Sequence, residues 1–238
     1  MPRIARGLGE GSVCHVLNRG NAGQEIFHKE QDYRAFIDLM KEAKRKFPIK
    51  LFAYCVMPTH FHMVMKQSVR EALSKFMQWL MTSHVRRYHT HYGSSGHIWQ
   101  GRFKSFLIEE DNHLIAVLRY VEGNPVRVGL VRSARDWPWS SHRETIGEQP
   151  RCVTDEPPVR FQGEWGRFID APMAGGELDR LRGSVNRQAP FGTPLWQKQM
   201  ARRFRLQSTL RPRGRPCGRK CCEIKSSLSP FIDEKETP

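Results

Sequence analysis

Two strand-forming stretches stand back to back with only Pro58-Thr59 between them. Ile49 to Met57 and His60 to Lys66 must therefore pair as a hairpin, because so short a connection leaves room for nothing else. A helical pattern lies on either side. Glu30 to Lys46 carries Tyr33, Phe36, Ile37, Met40 and Ala43 near helical spacing and stops before Phe47-Pro48; Arg70 to Tyr92 forms the second helix and stops at Gly93-Ser-Ser-Gly96. Ser12 to Asn18 alternates as a first strand, and Lys104 to Glu109 supplies a last one. Asp111 then N-caps a helix running to about Gly123. The order β-α-β-β-α-β-α predicts an α+β chain: a ferredoxin-like split β-α-β arrangement whose antiparallel sheet is covered by helices on one face, followed by a basic C-terminal extension. Such folds host many functions, so the chemistry has to be read from side chains.

Charge narrows the partner. The 238 residues hold 39 Lys and Arg against 24 Asp and Glu, a net +15. That excess points to a polyanion, nucleic acid before an acidic membrane, because neutralising phosphates releases counterions. The excess is uneven: residues 177–220 contain twelve basic and two acidic residues, a net +10. Within that stretch Trp196 to Leu206 can form a short basic helix, whereas Arg211-Pro-Arg-Gly-Arg-Pro216 cannot. The latter resembles an arginine-rich arm lying along a backbone or in a minor groove, the alternative being a solubilising tail. The longest apolar runs, such as Leu51 to Met57, fall far short of the roughly 18 residues of a membrane helix, and Met1-Pro-Arg-Ile-Ala-Arg opens no secretory signal. The expectation is a soluble cytoplasmic protein with no membrane contact. The six cysteines form no paired framework, and Cys217, Cys221 and Cys222 match no usual zinc spacing.

Two constellations could do chemistry. On a strand with period two, His60, His62 and Val64 face one side and Phe61, Met63 and Met65 the other, so two imidazoles are presented side by side, as two ligands of one divalent metal would be. His89-Thr-His91 has the same spacing but falls on a helix, where residues two apart diverge by about 200°. The second constellation is Tyr120-Val-Glu-Gly-Asn124, whose ends share one helical face. Beside a metal-binding pair, a phenol can attack phosphorus, and Asn124 could add an oxygen ligand.

Met57-Pro-Thr-His60-Phe-His62 resembles the histidine–hydrophobic–histidine (HUH) signature of single-tyrosine transposases, and Leu118-Arg-Tyr120-Val-Glu-Gly-Asn124-Pro-Val-Arg127 resembles their tyrosine helix. Trp99-Gln-Gly-Arg-Phe-Lys104, Asp136-Trp-Pro-Trp-Ser-Ser-His142 and Leu210-Arg-Pro-Arg-Gly-Arg-Pro216 further resemble the REP-associated tyrosine transposases, a bacterial branch acting on repetitive extragenic palindromes. The resemblance implies a catalytic domain over residues 1–146 and a basic DNA-binding region over 147–220; the mixed-charge stretch over 221–238 is expected to be a disordered tail, an extension beyond the Gly-Arg-Pro stretch where most members of the family end. It implies that His60 and His62, with Asn124, hold one Mg2+ or Mn2+, and that Tyr120 attacks to form a 5′-phosphotyrosine. The implied partner is a single-stranded DNA hairpin, bound with no small-molecule cofactor by a monomer or homodimer in the bacterial nucleoid. Candidate DNA contacts are Asn18, Arg19, Arg102, Lys104, Arg127, Arg202, Arg203, Arg205, Arg211, Arg213 and Arg215, with the neighbouring aromatics available to stack on bases. Trp137 and Trp139 are expected to bury a domain edge rather than touch DNA. Replication initiators usually place a lysine three residues after the tyrosine, where this chain has Gly123. The alternatives are a non-catalytic hairpin-binding regulator and an RNA-binding protein on the same fold.

Overall fold

The computed structural model describes residues 9–211. Arg213, Arg215, the cysteines at 217, 221 and 222 and the expected tail lie outside the described residues. Four strands form one sheet: β1 (Val13–Arg19), β2 (Ile49–Met57), β3 (His60–Gln67) and β4 (Lys104–Ile108), in the order β2-β3-β1-β4 with every pairing antiparallel. Met57 pairs with His60 across Pro58-Thr59, so the hairpin forms where the sequence places it. Helix α1 (Glu30–Lys46) buries Tyr33, Phe36, Met40 and Ala43. Its N-terminus is closed by Asp32, whose Oδ2 accepts from the backbone N–H of His28 and Lys29 at 3.0 and 3.2 Å. Helix α2 (Ala72–Tyr92) buries Leu73, Phe76, Met77 and Leu80 against the same apolar cluster, which takes Phe61, Met63 and Met65 from β3. These two helices and the sheet are the expected ferredoxin-like unit.

The opposite face is covered as well. Helix α3 (Asn112–Glu122), capped by Asp111, packs Leu114, Val117, Leu118, Tyr120 and Val121 on Val13, Cys55, Val64 and Phe106. The one-face expectation thus describes α1 and α2, and α3 adds a second layer. Cys55, Val64 and Phe106 are apolar residues on the alternate side of their strands and demand cover of their own. Both sheet edges are also closed. Beyond β2, Val56 N–H donates to Trp139 O at 2.8 Å, Ser141 N–H to Tyr54 O at 2.9 Å and Trp137 Nε1–H to Val56 O at 3.0 Å, while the Trp139 ring stacks on Tyr33 at 4.9 Å. Trp137 and Trp139 therefore bury an edge, as expected. Beyond β4, Phe191 N–H donates to Leu107 O at 2.8 Å.

Up to Arg211 the basic region is folded rather than detached. Helices α6 (Trp165–Asp170), α7 (Gly175–Arg187), α8 (Pro194–Arg203) and α9 (Gln207–Leu210) follow two short turns, α4 (Asn124–Arg127) and α5 (His142–Thr145). Leu181 of α7 joins the cluster beneath α3, whereas Ala201 of α8 and Leu206 join the cluster beneath α1 and α2. Among the described residues no helix is long and apolar enough to cross a membrane.

Candidate active site

β3 carries His60 and His62 on the α3 side, with ring centroids 4.9 Å apart and planes at 89°. The Tyr120 ring meets His62 edge-on at 5.7 Å. Asn124, at the start of α4, places Nδ2 3.1 Å from His60 Nε2, and its Oδ1 accepts from the Arg127 guanidinium at 3.1 Å. The two constellations, about sixty residues apart in the chain, thus meet in one place. Gly123 lies between them in close quarters: a Cβ there would stand 3.0 Å from Arg119 O and 3.2 Å from Ile169 O, so the neighbouring backbone would have to give by a few tenths of an ångström.

The hydrogen bonds fix how His60 is protonated. Arg127 holds the Asn124 oxygen, so the amide turns its NH2, which can only donate, toward His60 Nε2. Nε2 is therefore a bare lone pair, and the proton sits on Nδ1, 2.9 Å from Thr59 Oγ1. Burial, and then the charges of Arg19 and Arg127, lower the His60 pKa to about 4. Burial, followed by repulsion from His15, His60 and Arg127, holds His62 well below its ordinary value. Two neutral imidazoles are the form that ligates a divalent ion, so the donor set fits one. Ligation by Asn124 Oδ1 requires the amide to turn over and release Arg127.

A second grouping lies at the start of α3, where ligand atoms of Glu109, Asp111 and His113 lie within 4.8 Å of one another and could hold a cation. Several of its ligand atoms already have partners. Asp111 Oδ1 accepts from the His113 backbone and ring at 2.8 Å each, and Glu109 Oε2 accepts from Thr193 N–H at 2.6 Å.

Two residues beyond Tyr120 on α3, the Glu122 carboxylate is 1 % exposed and accepts four hydrogen bonds. Ser141 Oγ and Thr145 Oγ1 donate to Oε1 at 2.7 and 2.6 Å, and His142 Nδ1 and Trp165 Nε1 to Oε2 at 2.9 and 2.8 Å. Burial alone would raise the carboxyl; the bond and charge of His142, with Thr145 and Trp165, hold it below the ordinary value. This tie fastens the tyrosine helix to the segment covering β2. Glu122→Gln turns an NH2 against two of the four donors and should lower stability by about 3 kcal/mol. In urea denaturation this appears as a lower midpoint at an unchanged slope; a loss under about 1 kcal/mol would show that the network is dispensable.

The family model for IS200-like transposases matches residues 11–124, a span that holds both histidines, Tyr120 and Asn124. A Haemophilus influenzae protein named for the REP-associated tyrosine transposases is 32% identical over 143 residues, covering 54% of this chain and 80% of that one. The chain belongs to this family of transposases. A REP-associated tyrosine transposase of Escherichia coli K12 is 30% identical over 137 residues, covering 56% of this chain and 78% of its own. A solved structure of a REP-associated tyrosine transposase bound to a REP hairpin shares the fold, with a TM-score of 0.51 and 23% identity over 68% of this chain and all of that one.

The expected DNA contacts of this transposase divide into two sets. Arg19, Arg102, Lys104, Arg202, Arg203, Arg205 and Arg211 are exposed, and Arg19 lies beside His60 in the strand register. Arg127 is half-buried, 4.1 Å above the Tyr120 ring, with one guanidinium nitrogen 2.7 Å from Tyr120 O. Asn18 is not free to read a base: it is buried, its Nδ2 donates to Gly101 O at 2.9 Å, and its Oδ1 accepts from Arg19 N–H at 2.9 Å. Trp99 and Phe103 are buried in the core too, so the expected stacking aromatics of that loop are not presented. His89 and His91 share no ligand position; His89 bonds Ser94 Oγ and Gly96 O instead. Two contributors escape the sequence reading. Thr59 orients His60, and His15 bonds His62, although the alternation of β1 already places His15 on the same side as Val13 and Leu17.

Proposed function

We propose that this transposase binds a single-stranded DNA hairpin and cuts and rejoins DNA through Tyr120. The observation that carries the reading is the packing of the Tyr120 ring against His62 while Asn124 reaches His60, which puts a nucleophile beside two neutral imidazoles in a basic protein. A Mg2+ or Mn2+ ion on His60 and His62, with Asn124 as third ligand, would supply polarisation of the scissile phosphate. In the reaction the Tyr120 oxygen forms a bond to phosphorus and its proton passes to solvent. The bond from phosphorus to the 3′-oxygen breaks, and that oxygen leaves as a 3′-OH after taking up a proton. The phosphotyrosine keeps the energy of the broken ester, so a second 3′-OH can reverse the step and join strands.

The solved relative carries a REP hairpin, and palindromic hairpins are the substrate class we assign to this chain. Arg19, next to His60 in the strand register, would meet the backbone at the cleavage point, and exposed arginines such as Arg202, Arg203, Arg205 and Arg211 would hold DNA further away. Residues 1–146 serve as the catalytic part in this reading. Asn18 contributes by holding the loop of Arg102 and Lys104, not by reading bases.

The test is a denaturing gel of wild-type protein with hairpin oligonucleotides labelled at either end, in Mg2+, Mn2+ or EDTA. A metal-dependent protein–DNA band joined through the 5′ phosphate is the expected result. Tight, salt-sensitive binding with no such band in any metal would make the chain a non-catalytic hairpin binder.

A further inference from the structure

His15 is the most deeply buried polar side chain near the site, 0 % exposed in the middle of β1. A polar ring in that position costs stability unless it has work to do. Its Nε2 lies 2.9 Å from His62 Nδ1, and the two rings stack at 5.0 Å with planes 20° apart. Phe106 closes one side at 4.9 Å and Tyr120 another at 6.2 Å. The other ring nitrogen, Nδ1, has no hydrogen-bond partner among the described residues. One hydrogen bond therefore defines the polar role of this side chain, and it points at one of the paired histidines.

His60 shows what that bond is for. Thr59 accepts its Nδ1 proton and leaves Nε2 bare. At His62 Nδ1 the partner is His15 Nε2 in place of a threonine hydroxyl. We infer that His15 is a positioning residue: it accepts the Nδ1 proton of His62 through Nε2, fixing the tautomer and ring plane in which His62 Nε2 keeps a lone pair with which, together with His60 Nε2, it would hold a divalent ion. The proton of His15 then sits on Nδ1, within the apolar wall formed with Phe106. Such outer partners of ligating histidines typically alter metal affinity 10- to 100-fold. The inference rests on the reading of His60 and His62 as ligands, and its test separates the two.

Mn2+ binding to the full chain, without DNA, is followed by the electron paramagnetic resonance of free Mn2+. His15→Phe keeps the ring and should weaken binding roughly 10- to 100-fold, while hairpin binding in EDTA reports that the variant is folded. His15→Gln can place Oε1 near the position of Nε2 and should restore affinity to within about threefold. His15→Asn is too short to do so and should behave like the phenylalanine variant. Equal Mn2+ affinity in His15→Phe and wild type overturns the inference, as does an equal loss in the phenylalanine and glutamine variants, which would mark a packing effect. If the His62→Ala control binds Mn2+ as wild type does, the ligand assignment itself fails and the inference with it. Nitrogen-15 spectra of wild-type imidazoles need no variant: His62 should carry its proton on Nδ1, and a proton on Nε2 would contradict the proposal.

Discussion

Tyr120→Phe should bind hairpin DNA as tightly as wild type, unfold within about 0.5 kcal/mol of it, and form no covalent adduct. The ring is 8 % exposed and held by its faces and edges: His62 at 5.7 Å, His15 at 6.2 Å and the Arg127 guanidinium at 4.1 Å. Phenylalanine keeps each of these contacts and loses only the oxygen that would bond to phosphorus. Removing a nucleophile outright lowers the rate on the order of 10⁴-fold or more, below what a gel detects. The other four tyrosines do not offer a substitute. Burial, and then Glu25, Asp32 and Cys55, push Tyr33 up to about 12. Burial followed by its bond to Asp32 does the same to Tyr92. Tyr54 and Tyr88 are also raised, first by burial and then by acidic neighbours, Glu144 and Asp32 respectively. A higher pKa means less phenolate, and Tyr33 and Tyr54 sit in the cluster beneath α1 and α2, across the sheet from the histidine pair. An adduct that survives in Tyr120→Phe would therefore be decisive against the assignment. Purified wild-type and variant proteins on one denaturing gel, with a binding assay in EDTA, make the comparison.

How much of this site is legible in the chain depends on how far apart its parts lie. Local rules place His60 and His62 side by side: a two-residue connection fixes the hairpin, and period two fixes the face. Helical spacing expects Tyr120 and Asn124 on one face; the helix that Asp111 caps ends at Glu122 and Asn124 opens the next turn, α4, from which it still reaches His60. What period two leaves open is which layer covers that face. The answer comes from α3, which reaches across to Cys55 and Val64, and from a buried carboxylate, Glu122, that no local pattern distinguishes from a surface one. Asn18, Trp99 and Phe103 show the converse. A polar residue at a strand end and aromatics in a glycine-containing loop look like an interface. Yet Asn18 closes that loop onto β1 through Gly101, and the rings fill the space beneath α2. The basic segment misleads for a related reason: Leu181, Ala201 and Leu206 are too few to make an obvious periodic signal, but they are enough to anchor its helices on both faces of the sheet. The basic helix expected over Trp196 to Leu206 forms as α8, and Arg202 and Arg203 ride on that folded frame; of the expected arm only Arg211 lies within the described residues.

The same burial that prepares the histidines makes the fold acid-labile. Burial pushes His15 down to about 3, and burial, then Arg87 against the opposing charge of Asp32, pushes His84 down to about 3. Both stay neutral in the folded chain at a pH where their unfolded counterparts, with a pKa near 6.5, take up protons. Between about pH 6.5 and pH 3 the unfolded state binds more protons, so stability rises with pH and falls as acid is added. Each such histidine removes about 1.4 kcal/mol per pH unit over this window, so His15 and His84 together should cost about 4 kcal/mol at pH 5. His60, lowered to about 4, and His62 push in the same direction. The lowered carboxylates Asp32 and Glu122 act later, below the range where unfolded carboxyls protonate near pH 4, so the interval from 6.5 to 5 isolates the imidazoles. Urea midpoints at pH 7.5, 6 and 5 should fall steadily. His84→Phe, whose ring would sit among Phe27, Phe36 and Trp99, should reduce the slope by about one histidine's share. Midpoints that stay flat from pH 7.5 to 5 would mean that these rings are not held neutral, and would remove the physical basis for treating His60 and His62 as ready ligands at neutral pH.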